Sequence, residues 1–298
     1  MLKKAGILFL VMVTLLACAQ EEAAEKGNDL TLNTTIAVKD LPVVGPVTLK
    51  QTQMFSGNIM RSVMRSSVIV GGEAQEISST VMVNLDEGNI YMINDFDSNY
   101  VVMTLEEFDS LMTHYEMMEE QARAVAQGED VADTGEAPLK FARREVTVSQ
   151  DSTKSIENYG QCEALEFDLQ LNDPETDFTS KLKGFMWVSK DIENVQLFTD
   201  FQDQMSRLSD QFLTTSSGFF GLANQIDMGD AWLDEINQKL NGVPVEADFE
   251  VNVPMDGDMV KYGISLKLED YTTTDIDQIL LSVPEGYQEV EFNQFRMY

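Results

Sequence analysis

The sequence predicts an α+β fold: one large curved antiparallel sheet covered by two long helices and one short helix. Three observations carry that expectation. Val243, Val245, Ala247, Phe249, Val251 and Val253 alternate with Glu246, Asp248, Glu250 and Asn252, the period of a strand with one face on a core and the other in water. Two other segments, 104–125 and 194–215, carry apolar residues that step by three and four, as one face of a helix does. Most of what remains is short runs rich in Val, Thr, Ile and aromatic residues, punctuated by Gly, Asn and Asp.

At the N-terminus Lys3 and Lys4 precede an uncharged apolar run, 5–16, which Leu15-Leu16-Ala17-Cys18 closes. The run is too short to span a bilayer comfortably, and small Ala17 sits where a signal peptidase cuts, so residues 1–17 read as a removed signal. The order resembles the signal peptide of bacterial lipoproteins. That resemblance implies that Cys18 receives lipid and becomes the first mature residue. An ordinary secretory signal with a chance cysteine is the plainer alternative. Residues 18–29 are then the lipidated cysteine and a flexible acidic tether, with nothing to bury.

Residues 30–298 read as a single domain. Strands are predicted at 30–38, 43–54, 58–70 and 75–85, with Gly71-Gly72 as the turn between the last two, and at 89–93 and 100–103. Thr104 followed by Glu107 is a capping box. It opens a helix whose stripe is Leu105, Phe108, Leu111, Met112, Tyr115, Met118, Ala122 and Val125. Residues 128–138 hold Glu129, Asp130, Asp133 and Glu136 among Gly and Ala, which predicts a mobile acidic loop within the domain. Strands follow at 139–148, 162–171 and 178–188. In the second, Leu165, Phe167, Leu169 and Leu171 alternate with Glu166, Asp168 and Gln170. Phe198, Phe201, Met205, Leu208 and Phe212 form the stripe of the second long helix, wide enough to lie over several strands as a lid. Asp230 caps a shorter helix carrying Trp232, Leu233, Ile236 and Leu240. The hairpin 243–253 and 260–268, turning at Asp256-Gly257, closes the sheet.

A formal charge of −31 excludes nucleic acid as a natural partner, because phosphate backbones are bound by clustered Lys and Arg. No metal set is available: with one histidine, His114, and Cys162 as the uncommitted thiol, zinc ligands and a nucleophile pair are lacking. His114 reads as solvated helix surface and Cys162 as a half-buried structural thiol. Asp95, Asp97, Asn99 and Glu106 match the first, third, fifth and twelfth ligand positions of a calcium loop, but Tyr100 stands where the turn needs Gly, so a polar hairpin turn accounts for them. No catalytic motif and no cofactor are implied, and the chain reads as non-enzymatic. The 17 methionines read as core filler or as the adaptable lining of a lipophilic cavity, and thioether copper binding at Met60 and Met64 lacks a His or Cys nearby.

Met60-Arg61, the run 89–94, the run 100–104, Ile156, Tyr159, Cys162, the run 187–192 and Val283-Pro284-Glu285-Gly286-Tyr287 resemble an uncharacterised family of bacterial envelope proteins with a domain of unknown function. That family is similar in expected fold to the LolA/LolB lipoprotein carriers, from which the acidic insertion at 128–138 departs. The resemblance implies an incomplete barrel whose concave apolar face, closed by helices, binds an apolar ligand or a lipidated client. The cavity candidates are Phe198, Phe201, Met205, Phe212, Met92 and Trp187. The lipoprotein-like signal implies a lipid-anchored place in the bacterial envelope: Ala19 after the cysteine resembles outer-membrane sorting, facing the periplasm, and Glu21-Glu22 suits surface exposure as the alternative. An envelope scaffold with a fully packed core is the competing reading.

Overall fold

The computed structural model describes residues 27–40, 46–70, 73–108, 110–111, 143–149, 152–172, 179–208, 241–255 and 258–295. Twelve strands in one line make an open sheet: β13 (Gln288–Glu289), β6 (Asn99–Thr104), β5 (Asn89–Asn94), β4 (Glu73–Asn84), β3 (Ile59–Val70), β2 (Val47–Ser56), β1 (Leu30–Lys39), β12 (Asp258–Thr272), β11 (Val243–Met255), β10 (Thr179–Ser189), β9 (Gly160–Asn172) and β7 (Arg143–Ser149). A thirteenth, β8 (Thr153–Ile156), pairs with β9. All neighbours are antiparallel except β13, which runs parallel to β6.

This corrects the expected α+β class. The protein is mostly one large open mixed sheet, not a sheet covered by two long helices and one short one. Among the described residues the helix Val195–Leu208 has 14 residues, about 21 Å of length, whereas the eleven spacings between twelve strands amount to about 53 Å. One such rod covers only part of the sheet. Sequence periodicity registered the helix but gave no measure of how much strand area it had to serve. The segment 112–142, the end of the second predicted helix with Phe212, the predicted short helix, and residues 1–26 with Cys18 lie outside the described residues. No described helix is long and apolar enough to cross a membrane.

Local chemistry explains the hairpins. At the β4–β5 turn the Asn84 side-chain oxygen accepts the N–H groups of Asp86 and Glu87, and Gly88 takes a positive φ of 68°. The β5–β6 turn repeats the device, with Asn94 accepting from Phe96 and Asp97. The predicted capping box forms: the Thr104 N–H donates to Glu107 at 2.8 Å, and the Glu107 N–H donates back to the Thr104 hydroxyl at 3.1 Å. The Thr104 N–H, together with the Thr104 hydroxyl donating at 3.0 Å, holds the exposed Glu107 carboxyl below its ordinary pKa.

β1 is even-faced throughout: Leu30, Leu32, Thr34, Ile36 and Val38 are buried, and their register partners on β2 and β12 share that face. Two apolar clusters therefore lie along one side of the sheet. One gathers Ile36, Val38, Leu165, Phe167, Leu182, Met186, Phe249, Val251, Ile264 and Leu266. Within it Gly184 sits opposite both Phe167 and Phe249, whose rings meet edge to face at 5.3 Å. A Cβ on Gly184 would lie 2.1 Å from the Asp248 carbonyl oxygen, so no larger residue fits the strand crossing. The other cluster lies under the helix and forms the candidate site.

On the opposite face the C-terminal segment forms a strap. Arg61, buried on β3, donates from Nη1 to the carbonyls of Leu280 at 2.7 Å and Ser282 at 3.2 Å. The Tyr287 hydroxyl then donates to Asp95 at 3.1 Å, and β13 adds to the β6 edge. Burial pushes the Arg61 guanidinium down from its ordinary pKa, opposed by the Asp95 charge.

Candidate ligand-binding face

The helix Val195–Leu208 is set on the sheet by its own start. Asn194, in a left-handed conformation at φ 60°, donates from its amide to the carbonyls of Gly27 at 3.2 Å and Asp29 at 2.9 Å. The three- and four-residue steps then aim Phe198, Phe201 and Met205 at one place. Phe55 of β2 receives them, with ring centroids 5.6 Å from Phe198 and 5.7 Å from Phe201, both edge to face. Met205 is 0% exposed.

Of the residues singled out in the sequence, Phe198, Phe201, Met205 and Met92 are thus brought into a single cluster with Leu30, Leu32, Met60, Ile90, Val101 and Met103. Trp187 packs only against its margin. Its ring lies beneath Lys154 Nζ at 4.4 Å and beside Phe185 at 6.2 Å, and it lines a separate groove of about 430 Å³ with Glu166, Asp168, Lys183 and Phe185. Phe212 and Cys18 lie outside the described residues.

Sequence reasoning missed the hub, Phe55, and a polar belt between the two clusters. Thr34 and Gln51 are buried, and the Gln51 amide donates to the Ser62 hydroxyl at 3.0 Å. Leu49, Gln51, Gln53 and Phe55 share one face of β2, but glutamines at two of the four inward positions hide the alternation.

The space left under the helix is small. The gap bounded by Leu32, Thr34, Gln51, Gln53, Phe198 and Gln202 is about 30 Å³, enough for a water or two. At the sheet edge the same apolar cluster opens into a larger groove of about 540 Å³. Val101, Met103, Leu111, Val290 and Phe292 line it, and Glu107, Glu289 and Glu291 border it. That volume falls in the range of small-molecule sites, about 300 to 1,000 Å³.

The residues behind the family resemblance have structural tasks. Tyr159 donates its hydroxyl to the Leu268 carbonyl at 2.7 Å and accepts at its own carbonyl from Ser189. Asp191 accepts the Gln161 N–H at 2.8 Å, closing the β8–β9 turn onto the end of β10. Cys162 is fully buried, more than the half-burial expected, and burial pushes its thiol pKa up, away from reactivity. Among the described residues no three His, Cys, Asp or Glu side chains gather as a metal site.

No protein-family model matches the chain. No curated protein matches it in sequence either. Among solved structures it is similar to a porin-like protein from Bacteroides uniformis, at 12% identity and a TM-score of 0.26, over 80% of this chain and 96% of that one. It is also similar to a DUF1329 family protein from Desulfovibrio piger, at 8% identity and a TM-score of 0.21, over 87% and 91% of the two chains. A third similarity is to a putative outer membrane lipoprotein-sorting protein domain from Vibrio parahaemolyticus, at 6% identity and a TM-score of 0.18, over 85% and 88%. These overlaps are too weak to assign the chain to a family or to transfer a function.

Proposed function

We propose that the protein is a non-enzymatic, lipid-anchored envelope protein that binds an apolar ligand, an acyl chain or the lipidated end of a client, on the face covered by the helix Val195–Leu208. One observation carries the reading: the apolar cluster under the helix continues through Val101 and Met103 into a groove of ligand size at the sheet edge. Methionine at positions 60, 92, 103 and 205 of that cluster suits a lining that re-packs as a chain enters. The buried, unreactive Cys162 agrees with a role without covalent chemistry.

The second reading, an envelope scaffold with a packed core, is favoured by the gap of about 30 Å³ beneath the helix. One measurement separates the two. The mature chain, purified and examined by mass spectrometry under non-denaturing conditions, is expected to carry an apolar molecule. After delipidation an acylated peptide should raise its melting temperature in a concentration-dependent way. Val290→Asp, which places a charge on the groove wall, should abolish that shift while leaving the fold intact. A bare polypeptide mass with no shift from lipids or acylated peptides would establish the scaffold instead.

A further inference from the structure

Residues 27–29, at the end of the expected tether, are fastened to the body. The Gly27 N–H donates to the Thr273 carbonyl at 2.7 Å, the Asn28 N–H to Asp275 at 2.8 Å, and the Ile276 N–H to Asp29 at 2.7 Å. The point where the N-terminal segment joins the domain is therefore beside the start of the strap. Three residues beyond Ile276, and so within about 11 Å of it by chain length, the 3₁₀ turn Gln278–Leu281 turns two consecutive large side chains outward. Ile279 is 73% exposed and Leu280 49%, while Leu281 is buried beneath them. Among the described residues no other two consecutive large apolar side chains are exposed.

The turn is held in shape from both sides. Asp277 caps it by accepting the Ile279 N–H at 3.0 Å, Ser282 donates to the Ile279 carbonyl at 2.9 Å, and Arg61 holds the Leu280 carbonyl. A rigid turn presents its side chains without an ordering cost at the moment of contact.

We propose that Ile279 and Leu280 are the foot on which the body rests against a lipid surface. This rests on the reading of Cys18 as the lipidated residue. Eight residues, 19–26, then lie between Cys18 and the fastened Gly27, nine Cα steps and a reach of no more than about 32 Å, so this side of the domain stays close to the bilayer. Two apolar side chains are too few to hold a free protein on a membrane. On a tethered body the second contact is intramolecular, at high effective concentration, and two side chains suffice to orient it. The surface that fits is a zwitterionic one, because a chain of formal charge −31 is repelled by anionic lipid. Seated this way, the domain holds one strand end of its sheet towards the bilayer, and the Lys39 end of β1 points away.

The test uses the lipidated full chain in phosphatidylcholine vesicles, with an environment-sensitive dye on Gln278→Cys or, as the distal control, on Lys39→Cys. Buried Cys162 does not compete for the label. Lipid-borne quenchers are expected to quench the dye at 278 several-fold more than the dye at 39. Ile279→Ser with Leu280→Ser, both exposed and so harmless to folding, should remove that difference while the protein still floats with the vesicles. Equal quenching at the two sites in floated vesicles, or quenching at 278 that survives the double substitution, would overturn the proposal. Failure to float at all would sink the Cys18 reading alone. The same comparison, with an N-terminal histidine tag held on nickel-chelating lipid, would then decide the foot by itself.

Discussion

Phe249 and Glu250 are neighbours in sequence and opposites in circumstance. Phe249 is buried between Gly184 and Ile264 in the register, while Glu250 is exposed and paired with Lys261 at 2.7 Å. A carboxylate at the Phe249 or Ile264 position would be surrounded by apolar side chains without a partner, a change that costs upwards of about 4 kcal/mol. An exposed ion pair contributes under about 1 kcal/mol. Phe249→Asp and Ile264→Asp should therefore abolish or severely lower the denaturant midpoint, whereas Glu250→Ala and Lys267→Ala should leave it nearly unchanged. Similar losses in both sets would show the face assignment to be wrong.

At the scale of elements, the strap reaches the core at a few points: Leu281 is buried, and Val290, Phe292 and Phe295 pack against the cluster under the helix. Its polar hold includes Arg61, the Tyr287–Asp95 bond, the Ile276–Asp29 bond and two backbone bonds at the β6 edge, Gln288 N–H to the Ser98 carbonyl and Val290 N–H to the Tyr100 carbonyl. Covering that edge also keeps β6 from pairing with another chain. Arg61→Met keeps the length of the side chain but leaves the Leu280 and Ser282 carbonyls without their donor, a loss of about 1 to 3 kcal/mol. Hydrogen exchange should then show the amides of 288 and 290 losing protection well before those of β11 and β12. Uniform loss across the sheet would mean that the strap and the sheet open as one unit.

Across the whole molecule, β1 is the seam. It joins β2 to β6, which follow it directly, to β12, whose Thr272 pairs with Thr31 from the far end of the chain. Such non-local pairing is slow to form, since loop closure must precede the contacts that reward it. Removing residues 30–39 would leave two half-sheets with facing unpaired edges. The shortened protein should lose its single cooperative melt, followed by circular dichroism in urea, and should associate. A transition of unchanged midpoint and slope would show that the halves are held by something other than β1.

Much of this was written locally. Strand positions, the Thr104–Glu107 cap and the stripe Phe198, Phe201, Met205 follow from side-chain period and from hydrogen bonds within three residues, interactions a short segment carries by itself. The alternation over 243–251 and 262–268 likewise determined which side chains are buried. What local pattern cannot encode is area and adjacency. Nothing in the helix stripe states that a 14-residue rod meets a 13-strand sheet, and so the α+β expectation failed. Strands β8 and β13, four and two residues long, exist only because β9 and β6 offer them an edge. The groove beside Phe292 and the outward turn at Ile279 beside Gly27 join residues more than 180 positions apart. Only tertiary packing, which pairs segments by complementary surface and not by order in the chain, decides such meetings.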